Sequence, residues 1–170
     1  MAANKYLAWV TNTIKEVQAL VQSAGAGDAG KIVALDGSGK LDTSVLPTGI
    51  GAETKVVPAS EALGAGDWVN FWLDGATVKV RKADATTAGK EAQGYVLASV
   101  ESGANATVYV EGVNNQLADL TKAAKYYLST TAGNETDTAP SASGNVVQPV
   151  GVALSDTEIA FKPGSPITLA

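Results

Sequence analysis

Three short constellations in this 170-residue chain carry residue types that can do chemistry. The first, Gly25-Ala-Gly-Asp-Ala-Gly30-Lys31, matches the first seven positions of a loop that cradles phosphates with glycine amides and a lysine. Position eight is Ile32, where a Ser or Thr must hold Mg²⁺, and no helix is predicted to open there and aim its amides at an anion. The second, Asp36-Gly-Ser-Gly-Lys-Leu-Asp42, places oxygen ligands at positions one, three and seven of a calcium loop. Positions five and twelve are Lys40 and Pro47, where such a loop needs an oxygen ligand and a bidentate Glu, so a turn is expected and no metal site. The third is aromatic: Trp68 and Trp72 fall on one face of a predicted strand with Phe71 opposite, and Tyr126-Tyr127 divides between two faces in the same way. Exposed rings of this kind stack on sugars, so Trp68, Trp72, Tyr126 and Tyr127 are candidate surface-binding aromatics, against the alternative that at least one Trp fills the core.

Other chemistry is excluded by residue type. The chain has no His and no Cys, which removes disulfides, zinc sites, Cys nucleophiles and Ser-His-Asp triads. Its 17 acids lie mainly in turns (Asp67, Asp74, Glu101, Asp137, Asp156), and no spacing places two of them across a groove as a glycosidase requires. Asn105-Ala-Thr107 and Asn134-Glu-Thr136 match the glycosylation acceptor, but an unsecreted chain is expected, for which the match carries no weight. A net charge of -5 with one arginine, Arg81, offers no basic patch for nucleic acid. No apolar run is long enough to span a membrane, so a soluble, unsecreted protein without catalytic site, metal or cofactor is expected. Only 17% of the residues are charged, which marks a surface meant to be covered.

The elements that must position these residues fall into three stretches. In 1–24, Leu7, Val10, Ile14, Val17 and Val21 recur at steps of three and four, a heptad seam that predicts a helix. Leu7, Ile14 and Val21 occupy a positions and Val10 and Val17 d positions, a β-branched pattern that favours a trimeric coiled coil. The alternative is one amphipathic helix packed on its own domain. Residues 25–51 hold seven glycines among short apolar words and predict an extended linker with no obvious strand partner. Its Ile32, Leu35, Leu41, Val45 and Leu46 are expected to bury against symmetry copies, extending the trimer interface.

Residues 52–170 predict a small antiparallel β-barrel or sandwich, making the chain mainly β. Strands are expected at 54–57, 68–73, 77–82, 94–100, 107–111, 126–130, 146–154 and 158–162, with Asp74-Gly75, suited to a type I′ turn, the strongest hairpin signal. Further hairpins are expected at 101–105 and 155–157, each opened by similar words, 94–99 and 150–155, that follow Gln93 and lie next to Gln148.

The run Ala34-Leu-Asp-Gly-Ser-Gly-Lys-Leu-Asp-Thr-Ser-Val-Leu-Pro47 resembles a repeat of tailed-bacteriophage fibre and head-fibre proteins, found between a trimerising helix and a β-domain. The segments 125–133, 145–155 and 158–161 are similar to a β-domain that recurs in phage virion proteins. The resemblance implies a homotrimer in the virion, and the short chain favours a capsid decoration (cement) protein or head fibre, made in the host cytoplasm and bound to the major capsid protein on the outer capsid surface. A tail-fibre or glycan-binding tip is the alternative.

Overall fold

The computed structural model describes residues 5–46 and 52–170. The chain divides into two compact units, Met1–Gly51 and Ala52–Ala170. The strands are β1 (Lys5–Val10), β2 (Thr13–Gln18), β3 (Thr54–Pro58), β4 (Trp68–Asp74), β5 (Thr77–Lys82), β6 (Gly94–Val96), β7 (Asn105–Tyr109), β8 (Gly112–Asn114), β9 (Lys125–Leu128), β10 (Glu135–Thr136), β11 (Val146–Val147), β12 (Pro149–Ala153), β13 (Ile159–Phe161) and β14 (Ile167–Thr168). The only helical pieces among the described residues are the 3-10 turns Ala26–Asp28 and Thr43–Val45.

The expected N-terminal helix and trimeric coiled coil are therefore overturned: β1 and β2 pair as an antiparallel hairpin, with Tyr6 opposite Val17 and Trp9 opposite Ile14. Local chemistry explains the outcome. Aromatic and β-branched residues (Tyr6, Trp9, Val10, Thr13, Ile14, Val17) dominate both strands, and these suit a pleated surface better than a helix. Thr11 and Asn12 carry φ of 46° and 62°, and positive φ at both loop residues is what a type I′ turn requires. The heptad seam is split as a result. Leu7 and Ile14 share one face of the hairpin with Trp9, whereas Val10 and Val17 share the other with Tyr6.

The glycine-rich stretch does find a partner within its unit. Val33 bridges Leu20 in parallel, with Leu20 N donating to Ile32 O at 2.9 Å and Ala34 N to Leu20 O at 2.8 Å. Three aspartates shape its turns. Asp28 accepts from Ala24 N and Lys31 Nζ, Asp36 from Ser38 N and Lys40 N, and Asp42 caps the turn at Thr43–Val45 by accepting from Ser44 N. Pro47 and the rest of 47–51 lie outside the described residues.

In the second unit, β3, β7, β6, β4 and β5 form an antiparallel sheet in that order. The chain leaving β3 returns to β5, with Ala59 bridging Val80 in parallel and Ser60 N donating to Val80 O at 2.8 Å, so the sheet closes on itself. Val57, Ala59, Leu63, Val69, Val80, Val96, Ala106 and Val108 fill this barrel. A second sheet, β10-β9-β12-β13-β8, covers its outer side, while β11 and β14 pair separately. Strands β4 and β6 are buried on both faces: Val69 and Val96 point into the barrel, while Trp68 and Tyr95 point at Tyr126, Leu128, Val150, Ile159 and Phe161 of the second sheet. There Trp68 lies 5.2 Å from Phe161 and meets Tyr95 edge-on at 5.7 Å between ring centroids.

The Asp74-Gly75 signal marks the β4–β5 hairpin, with a correction to its turn. Asp74 pairs with Thr77, so the loop is Gly75-Ala76, and only Gly75 has positive φ (63°), the type II′ pattern in place of type I′. The expected strand at 146–154 is two strands in different sheets, divided at the buried Gln148. The expected strand at 94–100 ends at Val96, with Val100 reduced to an isolated bridge to Leu63.

Candidate assembly surface

None of the described residues of the first unit is buried. Its hairpin sets Leu7, Trp9 and Ile14 side by side on one face, with exposures of 73%, 70% and 66%, beside an ion pair between Lys5 Nζ and Glu16 Oε1 at 2.6 Å. Val10, Val21, Ile32, Leu35 and Leu41 are exposed as well, while Val17, Val45 and Leu46 are half-buried. Trp9 is the residue that helical spacing does not single out; only the alternation of β1 brings it beside Leu7 and Ile14. Such a run of uncovered apolar side chains is the physical mark of an interaction surface.

The unit has no electrostatic identity to match. Lys5, Lys15, Lys31 and Lys40 balance Glu16, Asp28, Asp36 and Asp42, so the entire formal charge of -5 belongs to residues 52–170. Lys31, the lysine of the phosphate-loop look-alike, is held by Asp28 at 2.7 Å. Bonds to Lys31 hold the Asp28 carboxyl below its usual range, the Lys40 amide does the same for Asp36, and Ser44 for Asp42. Asp36 Oδ1 already accepts from the amide and hydroxyl of Ser38 and from the Lys40 amide, as in an ordinary turn. Among the described residues no group of three or more acids is placed to hold a metal.

The second unit has an uncovered patch of its own. A groove of about 290 Å³ on the outer face of the second sheet is lined by Val152, Leu154, Ala160 and Pro149, with Lys125 and Lys162 at its rim.

The four aromatic candidates do not form one platform. Trp68 is fully buried and Tyr126 is buried, its hydroxyl accepting from Thr121 N at 2.8 Å. Trp72 is half-buried, donates from Nε1 to Ser60 Oγ at 3.1 Å and lies under the guanidinium of Arg81 at 5.2 Å. Tyr127 is half-buried on the opposite side of β9 from Tyr126.

Two acids do share a cavity that their spacing does not announce: Asp67 and Glu135 line about 240 Å³ together with Gln116 and Asn134. Both are engaged structurally. Asp67 accepts from Gly64 N at 2.7 Å and pairs with Lys82 at 3.1 Å, while Glu135 accepts from Trp68 Nε1 at 2.7 Å. No helix among the described residues is long and apolar enough to cross a membrane. No protein-family model, curated protein or solved structure matches this chain.

Proposed function

We propose that this is a non-enzymatic structural protein of a tailed-bacteriophage particle, a homotrimer that decorates the outer capsid surface and reinforces contacts between major capsid subunits. The observation that carries the reading is the uncovered face of Leu7, Trp9 and Ile14 on a unit with no buried residue. An isolated two-stranded hairpin is marginal in water and gains stability only when something packs on it. The fibre-like run Ala34–Pro47 belongs to the same unit and supplies the class of assembly. Copies of the chain and the capsid shell are the partners, held by burial of apolar area at about 25 cal/mol per Å² before ordering costs are subtracted.

The test is rebinding of the purified protein to particles stripped of it, followed by electron microscopy of the decorated heads. Density at threefold or quasi-threefold positions is the expected result. Failure to rebind, combined with binding to host cells or a glycan array, would replace this reading with a tail-fibre tip.

A further inference from the structure

Both edges of the β1–β2 hairpin are open. At a two-residue I′ reversal the flanking pair, here Val10 with Thr13, exchanges both backbone bonds, and the register repeats that role at Ala8 with Lys15 and Tyr6 with Val17. The N–H and C=O groups of Lys5, Leu7 and Trp9 therefore point away from β2, and those of Ile14, Glu16 and Gln18 away from β1. None of these outward groups has a backbone partner among the described residues.

The two faces differ as well. Tyr6, Ala8 and Val17 are half-buried on the side turned to the rest of their unit, where the Tyr6 hydroxyl accepts from Ile32 N at 3.3 Å. The six residues with outward backbone groups share the other side, and all of them are exposed. Leu7, Trp9 and Ile14 are thus uncovered at the residues whose backbone is also unpaired.

We propose that three copies close their hairpins into one six-stranded ring, β1 of each copy pairing antiparallel with β2 of the next, with Leu7, Trp9 and Ile14 of all three turned inward. The number three rests on the trimeric reading above; the pairing of unlike edges is new to it.

Charge selects those edges. Lys5 lies on the β1 edge and Glu16 on the β2 edge, and within one hairpin they already meet at 2.6 Å. A seam between unlike edges brings Lys5 of one copy to Glu16 of the next, so the signs alternate around the ring. A seam between like edges holds two lysines or two glutamates. Exposed charges of this kind choose the partner and add little strength, which comes from apolar burial and the new backbone bonds. Contacts between unlike edges run head to tail, and such contacts either close into a ring or continue as a fibre. Closure leaves no edge for further pairing and makes the apolar face an interior. It also replaces a two-stranded hairpin, marginal in water, by a sheet of enough strands over an apolar face to be stable.

The experiment is residue-resolved amide exchange on the full chain, at a concentration where light scattering returns the trimer. The outward amides of Leu7, Trp9 and Glu16 should exchange about a hundredfold or more slower than unstructured amides, like the inward ones of Ala8 and Lys15. A trimer in which only the inward set is protected overturns the ring and leaves the trimeric reading standing, whereas a chain that is monomeric throughout overturns both. Glu16→Pro deletes an outward N–H and none of the hairpin's own bonds, so it should dissociate the trimer, while Glu16→Ala keeps it. A Glu16→Pro chain that remains trimeric overturns the ring, and dissociation by Glu16→Ala as well assigns the contact to the charge and overturns the backbone pairing. Should Glu16→Pro lose the hairpin, the exchange pattern of the wild type decides.

Discussion

Gln148 does with a side chain what a strand does with its backbone. It is 3% exposed, and its amide accepts from Ala92 N at 2.8 Å and donates to Ala92 O at 2.9 Å, so the chain between β11 and β12 is pinned to the segment leading into β6. Gln93, which precedes the similar word at 94–99, plays a related part, its Oε1 accepting from Phe71 N at 2.9 Å and from the buried Asn70. Replacing Gln148 by Leu keeps the volume and leaves the N–H and C=O of Ala92 unpaired in the interior. Each buried unmet group costs about 1–3 kcal/mol, so Gln148→Leu should lower stability in urea unfolding by roughly 2–6 kcal/mol. A loss below about 1 kcal/mol would mean that water reaches Ala92. Asp84 shows the same dependence on partners at a charged group: burial disfavours its ionised form, but bonds from Thr86 and Lys90 outweigh that and hold it below the usual range. Its contribution is therefore present above the ordinary Asp titration and lost as pH falls through the lowered one.

Between elements, the contest at residues 5–18 was decided by the turn. Spacings of three and four place Leu7, Val10, Ile14 and Val17 on one helical stripe, yet the same residues alternate acceptably in two strands once a reversal is available at Thr11-Asn12. The two structures respond oppositely to one change. Thr11→Asn with Asn12→Gly removes a β-branched residue from positive φ and installs the favoured type I′ pair, which should stabilise the hairpin by about 0.5–1 kcal/mol, whereas glycine inside a helix costs about 1 kcal/mol. Amide exchange in β1 and β2 of the full chain should slow in the double variant; faster exchange would argue for the helix. The second unit was more legible because its signals are local. Thr77–Lys82 and the Asp74-Gly75 reversal could be read from alternation and turn chemistry, and the long strand β4 with them. Strands β8, β10 and β14 have two or three residues, too few for any periodicity, and exist because a neighbouring strand offers its edge. The joint at Trp68 and Glu135 links residues 67 positions apart, and no spacing rule reaches that far.

Over the whole molecule, charge and exposed apolar surface are divided between the two units: the first is neutral and uncovered, the second carries the net charge of -5. The assembly proposed for the first unit should then depend on apolar burial and little on ionic attraction. Light scattering at 0.1 M and 0.5 M sodium chloride should return the same oligomer, since screening at these strengths weakens exposed charge pairs and leaves apolar contacts in place. Sulfate should strengthen it. Dissociation by chloride would point to an ionic interface and away from Leu7, Trp9 and Ile14. The direct test converts that face, with Leu7→Asp, Trp9→Ser and Ile14→Asp combined. All three side chains are about two-thirds or more solvent-exposed, so the β-domain should unfold at an unchanged urea midpoint while the proposed oligomer falls to a monomer and rebinding to stripped particles is lost. An oligomer that survives the triple change would move the interface to another surface, with the Val152–Leu154 groove of the second sheet the next to be altered.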